Sequence, residues 1–298
     1  CIRCEREKPM LMADCLGDNE VVFGSKISRG EVCEIDFVKM NLASIPSDAW
    51  DVSDDQSRTI WAWISREADG MSALKIGSEN GVYANINCSE LFCKYSNVRR
   101  IEFNNLFDTS CTTDMGKMFC ACNNLQNLDV SRFETKHVEN MASMFLKCKS
   151  LLELELTNFK TDKVKNMSAM FDSCENLKSL DVSRFDTGSV EGMQFMFSEC
   201  EALSELDVSR FDTRNVIDMS WMFDECKSLA TLDVSNFETE RVTDMERMFY
   251  GCSNLTQLDT SNFCYAQNVN VQDMFTSCGV SQNISKPVSM ADCIGDDE

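Results

Sequence analysis

Residues 203–226 read LSELDVSRFDTRNVIDMSWMFDEC, and this pattern, LxxLDVSxFDTxxVxxMxxMFxxC, recurs through the second two thirds of the chain. The spacing is 26 residues, as two sets of positions show: Phe107, Phe133, Phe159, Phe185, Phe211, Phe237 and Phe263, and Cys122, Cys148, Cys174, Cys200, Cys226, Cys252 and Cys278. Such regularity indicates a solenoid of stacked units.

Each repeat predicts one strand and one helix. Leu128 and Val130 alternate with polar residues, which is typical of a short, half-buried strand. Apolar residues from Val138 to Cys148 recur every three or four positions, so they predict a helix of about three turns with Thr135 as its N-cap. We therefore expect an α/β fold: a right-handed, leucine-rich-repeat-like solenoid with a parallel concave sheet and convex helices, preceded by an N-terminal β-rich cap.

The chain divides into four segments: a linker or terminal motif (1–20), a β-rich cap with a degenerate half-repeat (21–97), seven leucine-rich-type repeats (98–281), and a linker (282–298). The last segment repeats the first, because PMLMADCLGDNE (Pro9–Glu20) returns as PVSMADCIGDDE (Pro287–Glu298) with eight of twelve positions identical. This repetition predicts one period of a longer array, or a body whose two ends are built alike.

The repeated motifs resemble the BspA-like leucine-rich-repeat family of surface proteins over about residues 50 to 280. The resemblance rests on the VxxMxxMFxxC segments and on LDVSRFDT (Leu180–Thr187, Leu206–Thr213), TIWAWI (Thr59–Ile64), KIGSENGVYAN (Lys75–Asn85) and SELF (Ser89–Phe92). It implies a solenoid on secreted or cell-surface proteins, used for adhesion and binding without catalysis.

Composition excludes several classes of function. The chain has 298 residues, 43% of them apolar, and a net charge of -21. An acidic surface repels the phosphate backbone, so we expect no nucleic-acid partner. No run reaches the roughly 18 apolar residues that a membrane helix needs, so we expect no membrane insertion. His137 is the only histidine, and no placed nucleophile accompanies it, so we predict no enzyme.

The 17 cysteines fall into two classes. We expect the seven repeat cysteines to be reduced, because packed helices lie about 10 Å apart and a disulfide needs Cα atoms within about 7 Å. The other ten could form disulfides in an oxidising compartment: Cys1, Cys4, Cys15, Cys33, Cys88, Cys93, Cys111, Cys120, Cys264 and Cys293. Four of them, Cys1, Cys4, Cys15 and Cys293, are candidates for links between units.

A row of acidic residues should line the concave sheet at about 4.8 Å intervals: Asp129, Asp181, Asp207, Asp233 and Asp259, with Glu155 in the same column. At that spacing neighbouring charges repel by roughly 1 kcal/mol in water. Local hydrogen bonds to the serine that follows each Asp, with nearby arginines, offset this repulsion in one interpretation. In the other, the row holds calcium ions or a basic ligand, and apart from this calcium alternative we predict no cofactor or metal.

Two further sets of residues are candidate sites. Phe195, Trp221 and Tyr250 fall on the outer face of adjacent predicted helices and form a candidate partner-binding patch. Asn87, Asn166, Asn254 and Asn283 fit the glycosylation sequon.

The function predicted from these features is a non-enzymatic, extracellular or cell-surface structural and adhesive module, acting as a unit of a head-to-tail filament or tandem array. Its partners would be other copies of itself, other surface proteins or glycans. The alternative is a receptor-like module that captures a protein or glycan on the concave face. The columns beside the acidic row favour the first interpretation, because they hold polar residues rather than aromatic anchors: Asn127, Glu153, Ser179, Glu205, Thr231 and Gln257.

Overall fold

The structure, a computed structural model, describes residues 9–11, 21–23, 25–66, 71–265, 268–280 and 288–289. Two short 3₁₀ turns span Arg29–Glu31 and Leu42–Ser44. The strands are β1 (Val32–Lys39), β2 (Trp50–Asp51), β3 (Trp61–Arg66), β4 (Ser72–Ser78), β5 (Val82–Tyr83), β6 (Arg100–Glu102), β7 (Phe107–Asp108), β8 (Asn127–Leu128), β9 (Glu153–Leu154), β10 (Ser179–Leu180), β11 (Cys264–Tyr265) and β12 (Val288–Ser289).

The N-terminal region extends the sheet of the repeats. One sheet has the order β2-β3-β4-β1-β6-β8, so β1 lies directly beside β6, the strand of the first full repeat. Ile35 of β1 is paired in parallel with Leu74 on one side and with Ile101 on the other. The hydrophobic core therefore runs without a break from the N-terminal sheet into the repeats.

The concave strands of the repeats are short and parallel. β9 and β10 pair with Leu154 opposite Leu180, and Thr231 is bridged to Gln257 further along. The strands are short because a turn follows each of them closely. After β10 the next inward residue, Val182, already begins a turn, which closes with Phe185 N–H donating to Val182 O (3.0 Å).

The predicted convex helices are wrong: the described residues contain no α-helix. Where a helix was expected, residues 141–148 form overlapping four-residue turns closed by three N–H to O bonds: Met144 to Met141, Leu146 to Ser143, and Cys148 to Phe145. We call each repeat, which makes one turn of the solenoid, a coil. The intervening N–H groups donate to the next coil instead: Met141 to Asn166 O (3.0 Å), Ser143 to Ser168 O (2.7 Å), Phe145 to Met170 O (2.9 Å) and Lys147 to Asp172 O (2.8 Å). We call this second set of bonds the turn ladder.

Coil spacing explains why turns replace helices. Strands on the concave side stack about 4.8 Å apart, whereas packed helices need about 10 Å. Repeats with a strand on the concave side and a helix on the convex side would lie farther apart on the helix side, so the solenoid would have to curve strongly. The turn ladder keeps strand-like hydrogen bonding between coils on both sides, and it still buries Met141, Met144, Phe145 and Cys148 completely.

Identical side chains stack along the solenoid. Phe119 and Phe145 lie 5.7 Å apart between ring centroids with their planes at 6°, and Phe145 and Phe171 repeat this geometry at 5.7 Å and 7°. Offset stacking of this kind is favourable for aromatic rings. The same phenylalanine column continues to Phe275 at the C-terminal end.

Buried threonines join one coil to the next, which corrects the N-cap predicted for Thr135. Its hydroxyl donates to Lys160 O (3.0 Å) and accepts from Lys160 N–H (2.7 Å), both on the following coil. Thr109, Thr161, Thr187, Thr213 and Thr239 donate to the following coil in the same way.

Candidate interaction surfaces

The concave acidic row is exposed, and each carboxylate is held by its own turn. Asp181 accepts from Ser183 N–H (3.0 Å) and from the Ser183 hydroxyl (2.6 Å), and Asp207 accepts from Ser209 N–H (3.0 Å). The serine hydrogen bonds lower the pKa of both carboxyl groups. Asp129, Asp233 and Asp259 make the same bond to the serine two residues on, and Glu155 bonds Thr157 N–H. The serine hydrogen bonds of the local interpretation are therefore present, and binding of calcium or a basic ligand by this row stays a prediction.

Across the described residues, no group of three or more His, Cys, Asp or Glu side chains is arranged to hold a metal ion. The neighbouring positions Asn127, Glu153, Ser179 and Glu205 are exposed and polar. The concave face is thus an acidic groove whose carboxylates already have local donors.

The outer residues Phe195, Trp221 and Tyr250 do come together, on the turn ladder rather than on helices. The Phe195 and Trp221 rings stack with centroids 5.4 Å apart. The guanidinium carbon of Arg247 lies 3.9 Å from the Trp221 centroid and 3.7 Å from the Tyr250 centroid. Asp224 fixes this arginine, accepting from Nε at 3.1 Å and pairing with Nη2 at 3.0 Å. We call Phe195, Trp221, Arg247 and Tyr250 the aromatic cluster.

Arg247 was not predicted as part of this cluster, although the residues at the same position of the earlier repeats indicated it. Ser143, Ala169, Phe195, Trp221 and Arg247 occupy successive copies of one repeat position, and all of them have positive φ. This shared conformation points their side chains outward along one line. A cation following two aromatic residues in such a column predicts cation–π stacking.

Asp224 is the most perturbed acid beside the aromatic cluster. Its side chain is only 4% exposed. Burial raises the pKa of Asp224 to about 6, while Arg247 opposes this rise and Glu225 and Glu199 add to it. The carboxyl group therefore titrates within reach of mildly acidic conditions.

A row of Asp and Asn side chains on the turn ladder also went unpredicted. Asp114, Asn140, Asn166, Asp218, Asp244 and Asn270 each accept from the N–H two residues on. Asn140 Nδ2 also donates to Asp114 Oδ1 across coils (2.9 Å). The signal in the sequence was an Asp, Asn or Gly before nearly every first methionine of the motif, since these residues favour such side-chain turns.

The candidate glycosylation sites lie on the surface where they are described. Asn87, Asn166 and Asn254 are exposed, and Asn283 lies outside the described residues. Asn87 and Asn166 belong to the Asp/Asn row, with Oδ1 accepting from Ser89 N–H (2.8 Å) and Ser168 N–H (2.9 Å). Glycosylation at all four sites stays a prediction.

The repeat cysteines are free, buried thiols, as predicted, but the reason given for it was wrong. Adjacent coils are close enough for a disulfide, yet the six repeat thiols from Cys122 to Cys252 instead donate to a phenylalanine carbonyl of an earlier coil, as Cys148 does to Phe119 O (3.2 Å) and Cys226 to Phe197 O (3.1 Å). Burial raises the pKa of Cys226 to about 12. Cys111 and Cys264, from the second class, each take part in a disulfide. The candidate inter-unit cysteines Cys1, Cys4, Cys15 and Cys293 lie outside the described residues.

The described parts of the two terminal motifs, residues 9–11 and 288–289, are paired with matching repeat positions at opposite ends of the solenoid. Pro9 O accepts from Tyr83 N–H and Leu11 N–H donates to Tyr83 O, both at 2.8 Å, so Met10 is paired with Tyr83 in parallel. Tyr83 in turn is paired with Asp108, whose repeat position Cys264 occupies at the other end. Val288, the counterpart of Met10, is paired in parallel with Cys264.

The two ends of the turn ladder differ. Every bond of the turn ladder runs from an N–H group to a carbonyl group of the next coil. The ladder therefore gives no bonding partner to carbonyl groups of the first coil or to N–H groups of the last coil. The first coil is the degenerate half-repeat that ends at residue 97. Arg29 is only 1% exposed, and its Nη1 donates to Cys93 O (2.6 Å) and Glu90 O (3.0 Å) of this coil. On the last coil, no described residue accepts from the N–H groups of Val271, Asp273, Phe275 and Ser277. We call these four groups the donor edge.

No helix among the described residues is long and apolar enough to span a membrane. The single histidine, His137, lies partly exposed next to the buried Val138.

Comparisons with known proteins give one family and one solved structure. No curated protein matches the chain. A crystal structure of a leucine rich cell surface protein from Faecalibacterium prausnitzii A2-165 is 13% identical and covers 83% of this chain and 99% of that chain, with a TM-score of 0.28. A score this low supports no inference about fold or function.

The family model describes a Mycoplasma protein of unknown function, DUF285, and it matches residues 86–204 and 166–287. No enzyme family is indicated. The resemblance of the motif to BspA-like repeats agrees with this match only loosely, because the family is defined without a function. Since the two matches together span more than half of the chain, the protein belongs to the DUF285 family.

Proposed function

We propose that this protein is a non-catalytic structural repeat module of the cell surface that associates end to end with other copies of itself. The observation that carries the proposal is the donor edge. Four backbone N–H groups face along the solenoid axis at two-residue intervals, and a row of carbonyl groups on another chain would satisfy them. Val271 on the same edge is 38% exposed, so an apolar side chain accompanies the open hydrogen bonds.

The polarity of the ladder favours head-to-tail rather than tail-to-tail association. Two donor edges facing one another would oppose N–H groups with N–H groups and form no ladder bonds. A copy that approaches with its N-terminal end avoids this opposition, because the ladder leaves carbonyl groups at that end, where Cys93 O and Glu90 O already accept from Arg29. Repetition of that contact by one operator gives an open filament or a tandem array.

The terminal motifs support the same proposal. Met10 and Val288 are counterparts in the repeated motif, and both are paired with the same position of the repeat at opposite ends. A motif that fits both ends of one solenoid suits a junction between two solenoids. The surface location rests on the resemblance of the motif to BspA-like surface proteins.

Sedimentation velocity over a range of concentrations tests end-to-end association. Val271→Pro removes one N–H of the donor edge and no internal bond, so it should weaken association while the circular dichroism spectrum stays unchanged. Ile217→Ser is the control, because Ile217 is similarly exposed at 39% but lies away from the end. A wild-type chain that stays monomeric throughout, or a Val271→Pro variant that associates as strongly, contradicts the proposal.

A second candidate function is the capture of a partner on the aromatic cluster. Its support is the stacking of Phe195, Trp221 and Arg247 on one outward line, because Trp, Tyr and Arg are the residues that dominate protein-binding surfaces. Trp221→Ser should reduce binding to a surface protein or glycan with little loss of stability, whereas Ala169→Ser in the same column should not. Unchanged binding in Trp221→Ser would remove this function.

A further inference from the structure

Two cysteines of the second class lie side by side on the first two coils. Phe92 N–H donates to Met118 O (2.8 Å) and Lys94 N–H donates to Cys120 O (2.7 Å), and this register places Cys93 and Cys120 at the same position of adjacent coils. Adjacent strands lie about 4.8 Å apart, and disulfides join Cα atoms about 4.4 to 6.8 Å apart. Cys93 is buried and Cys120 is partly exposed, and both are free thiols.

The thiols of this pair face each other, unlike those of the repeat cysteines. Contact between the two thiols raises the pKa of Cys93 and lowers the pKa of Cys120. The repeat cysteines also occur on adjacent coils, but Cys122 donates to Phe92 O (3.0 Å) and Cys148 to Phe119 O (3.2 Å), and both are fully buried. A reagent can therefore reach Cys120 but none of these repeat thiols.

We propose that Cys93 and Cys120 are a site of disulfide formation by exchange with a small-molecule disulfide, which would join the first two coils covalently. In the first step the Cys120 thiolate attacks the reagent, forming a mixed disulfide and releasing one molecule of reagent thiol. In the second, Cys93 loses its proton, attacks the Cys120 sulfur and releases the second molecule of thiol. Two protein thiols are oxidised and one disulfide of the reagent is reduced.

The surroundings assign the order of the two steps. Contact with Cys93 lowers the pKa of Cys120, with a smaller contribution from Lys117, whereas the same contact and burial raise the pKa of Cys93 well above its usual value. Attack begins at the thiol that is both exposed and more easily ionised. Cys93 then resolves the mixed disulfide because its thiol already lies against Cys120.

This disulfide would strengthen the N-terminal end of the turn ladder. Cys93 O accepts from Arg29 Nη1 (2.6 Å), so the cross-link would join the residue that Arg29 caps to the next coil. The equivalent position in later coils holds Leu146, Asp172, Ser198 and Asp224, so those coils offer no such link.

The test treats the full folded chain with oxidised glutathione and maps its peptides without reduction. We expect a peptide pair joined through Cys93 and Cys120 with the loss of two hydrogens, while Cys148 and Cys174 remain free. In Cys93→Ser, Cys120 should stop at the mixed disulfide with glutathione. In Cys120→Ser, Cys93 should stay unmodified.

Two results would overturn the proposal. One is a wild-type chain in which Cys120 carries glutathione but no link to Cys93 forms. The other is a folded chain in which neither cysteine reacts, although the urea-unfolded chain does. Since Ser replaces Cys with little change of size and the reaction is followed by mass, a loss of stability in either variant would not hide the outcome, provided that circular dichroism shows both variants folded.

Discussion

At the scale of single residues, the buried threonine of FDT explains why the motif keeps a hydroxyl inside an apolar core. Thr187 Oγ1 donates to Asp212 O (2.9 Å) and accepts from Asp212 N–H (2.7 Å), so one side chain satisfies two backbone groups of the next coil. A buried group left without its partner costs about 1 to 3 kcal/mol. The threonine thus joins one coil to the next by hydrogen bonds and does not cap a helix.

Thr187→Val should lower the free energy of unfolding by about 1 to 3 kcal/mol, because valine keeps the shape but leaves both backbone groups of Asp212 unpaired. Urea unfolding followed by circular dichroism measures the change. Thr231→Val on the exposed concave face is the control and should be nearly neutral. Equal effects of the two substitutions would contradict the role given to the buried hydroxyl.

The raised pKa of Asp224 predicts that the free energy of unfolding depends on pH. Its pKa of about 6 in the folded chain exceeds the value near 4 of an unfolded Asp, so between these values the folded state binds more protons. Stability should therefore fall as pH rises from about 4 to about 6.5, by on the order of 2 kcal/mol from this residue. Unfolding measured at pH 5 and pH 7 tests this.

Asp224→Asn provides the control for that dependence. The amide keeps an acceptor for Arg247 but no longer titrates, so the difference in stability between pH 5 and pH 7 should shrink relative to the wild-type chain. The concave acids act in the opposite direction only at lower pH, because their pKa values are lowered. An identical pH dependence in the variant would show that Asp224 contributes nothing.

At the scale of elements, the sequence predicted burial correctly and backbone conformation incorrectly. Met141, Met144, Phe145 and Cys148 are all buried, as their spacing indicated. Steps of three and four residues fit one face of a helix, but they also fit a chain of turns in which each third residue points inward. Local periodicity cannot separate the two, since the choice depends on the distance between coils.

Ala169→Gly distinguishes a helix from the turn ladder. In a helix this change costs about 1 kcal/mol. Ala169 has φ 52°, a left-handed conformation that costs an L-residue about 1 to 2 kcal/mol, so glycine should be neutral or stabilising here by up to about 1 kcal/mol. Ala142→Gly, at a neighbouring type of position without positive φ, should be destabilising. Thermal unfolding of both variants decides the matter, and a clear loss in Ala169→Gly would favour the helix.

At the scale of the whole molecule, the sequence predicted the repeat and the alignment of the outer aromatic residues and of the acidic row, because each depends on residues at a fixed spacing, while binding at either surface stays a prediction. It predicted a cap at the N-terminal end only, but not how backbone hydrogen bonding differs between the two ends. Arg29 is far in sequence from Glu90 and Cys93, and no periodic signal links it to them. The donor edge likewise follows from the direction of the turn-ladder bonds, which became visible only once the helices proved to be turns.

This asymmetry predicts how the solenoid opens. Each coil contacts only its neighbours, so opening should begin at the end whose N–H groups have no acceptor among the described residues and proceed inward. Amide hydrogen exchange should be fastest in residues 271–277, slower at the first coil, and slowest in the middle coils.

Arg29→Met keeps an apolar stem but leaves Cys93 O and Glu90 O without the guanidinium, so exchange in the first coil should rise towards that of the last. Arg132→Met, on an exposed residue, should leave the pattern unchanged. A first coil that already exchanges as fast as the last in the wild-type chain would mean that Arg29 does not close that end.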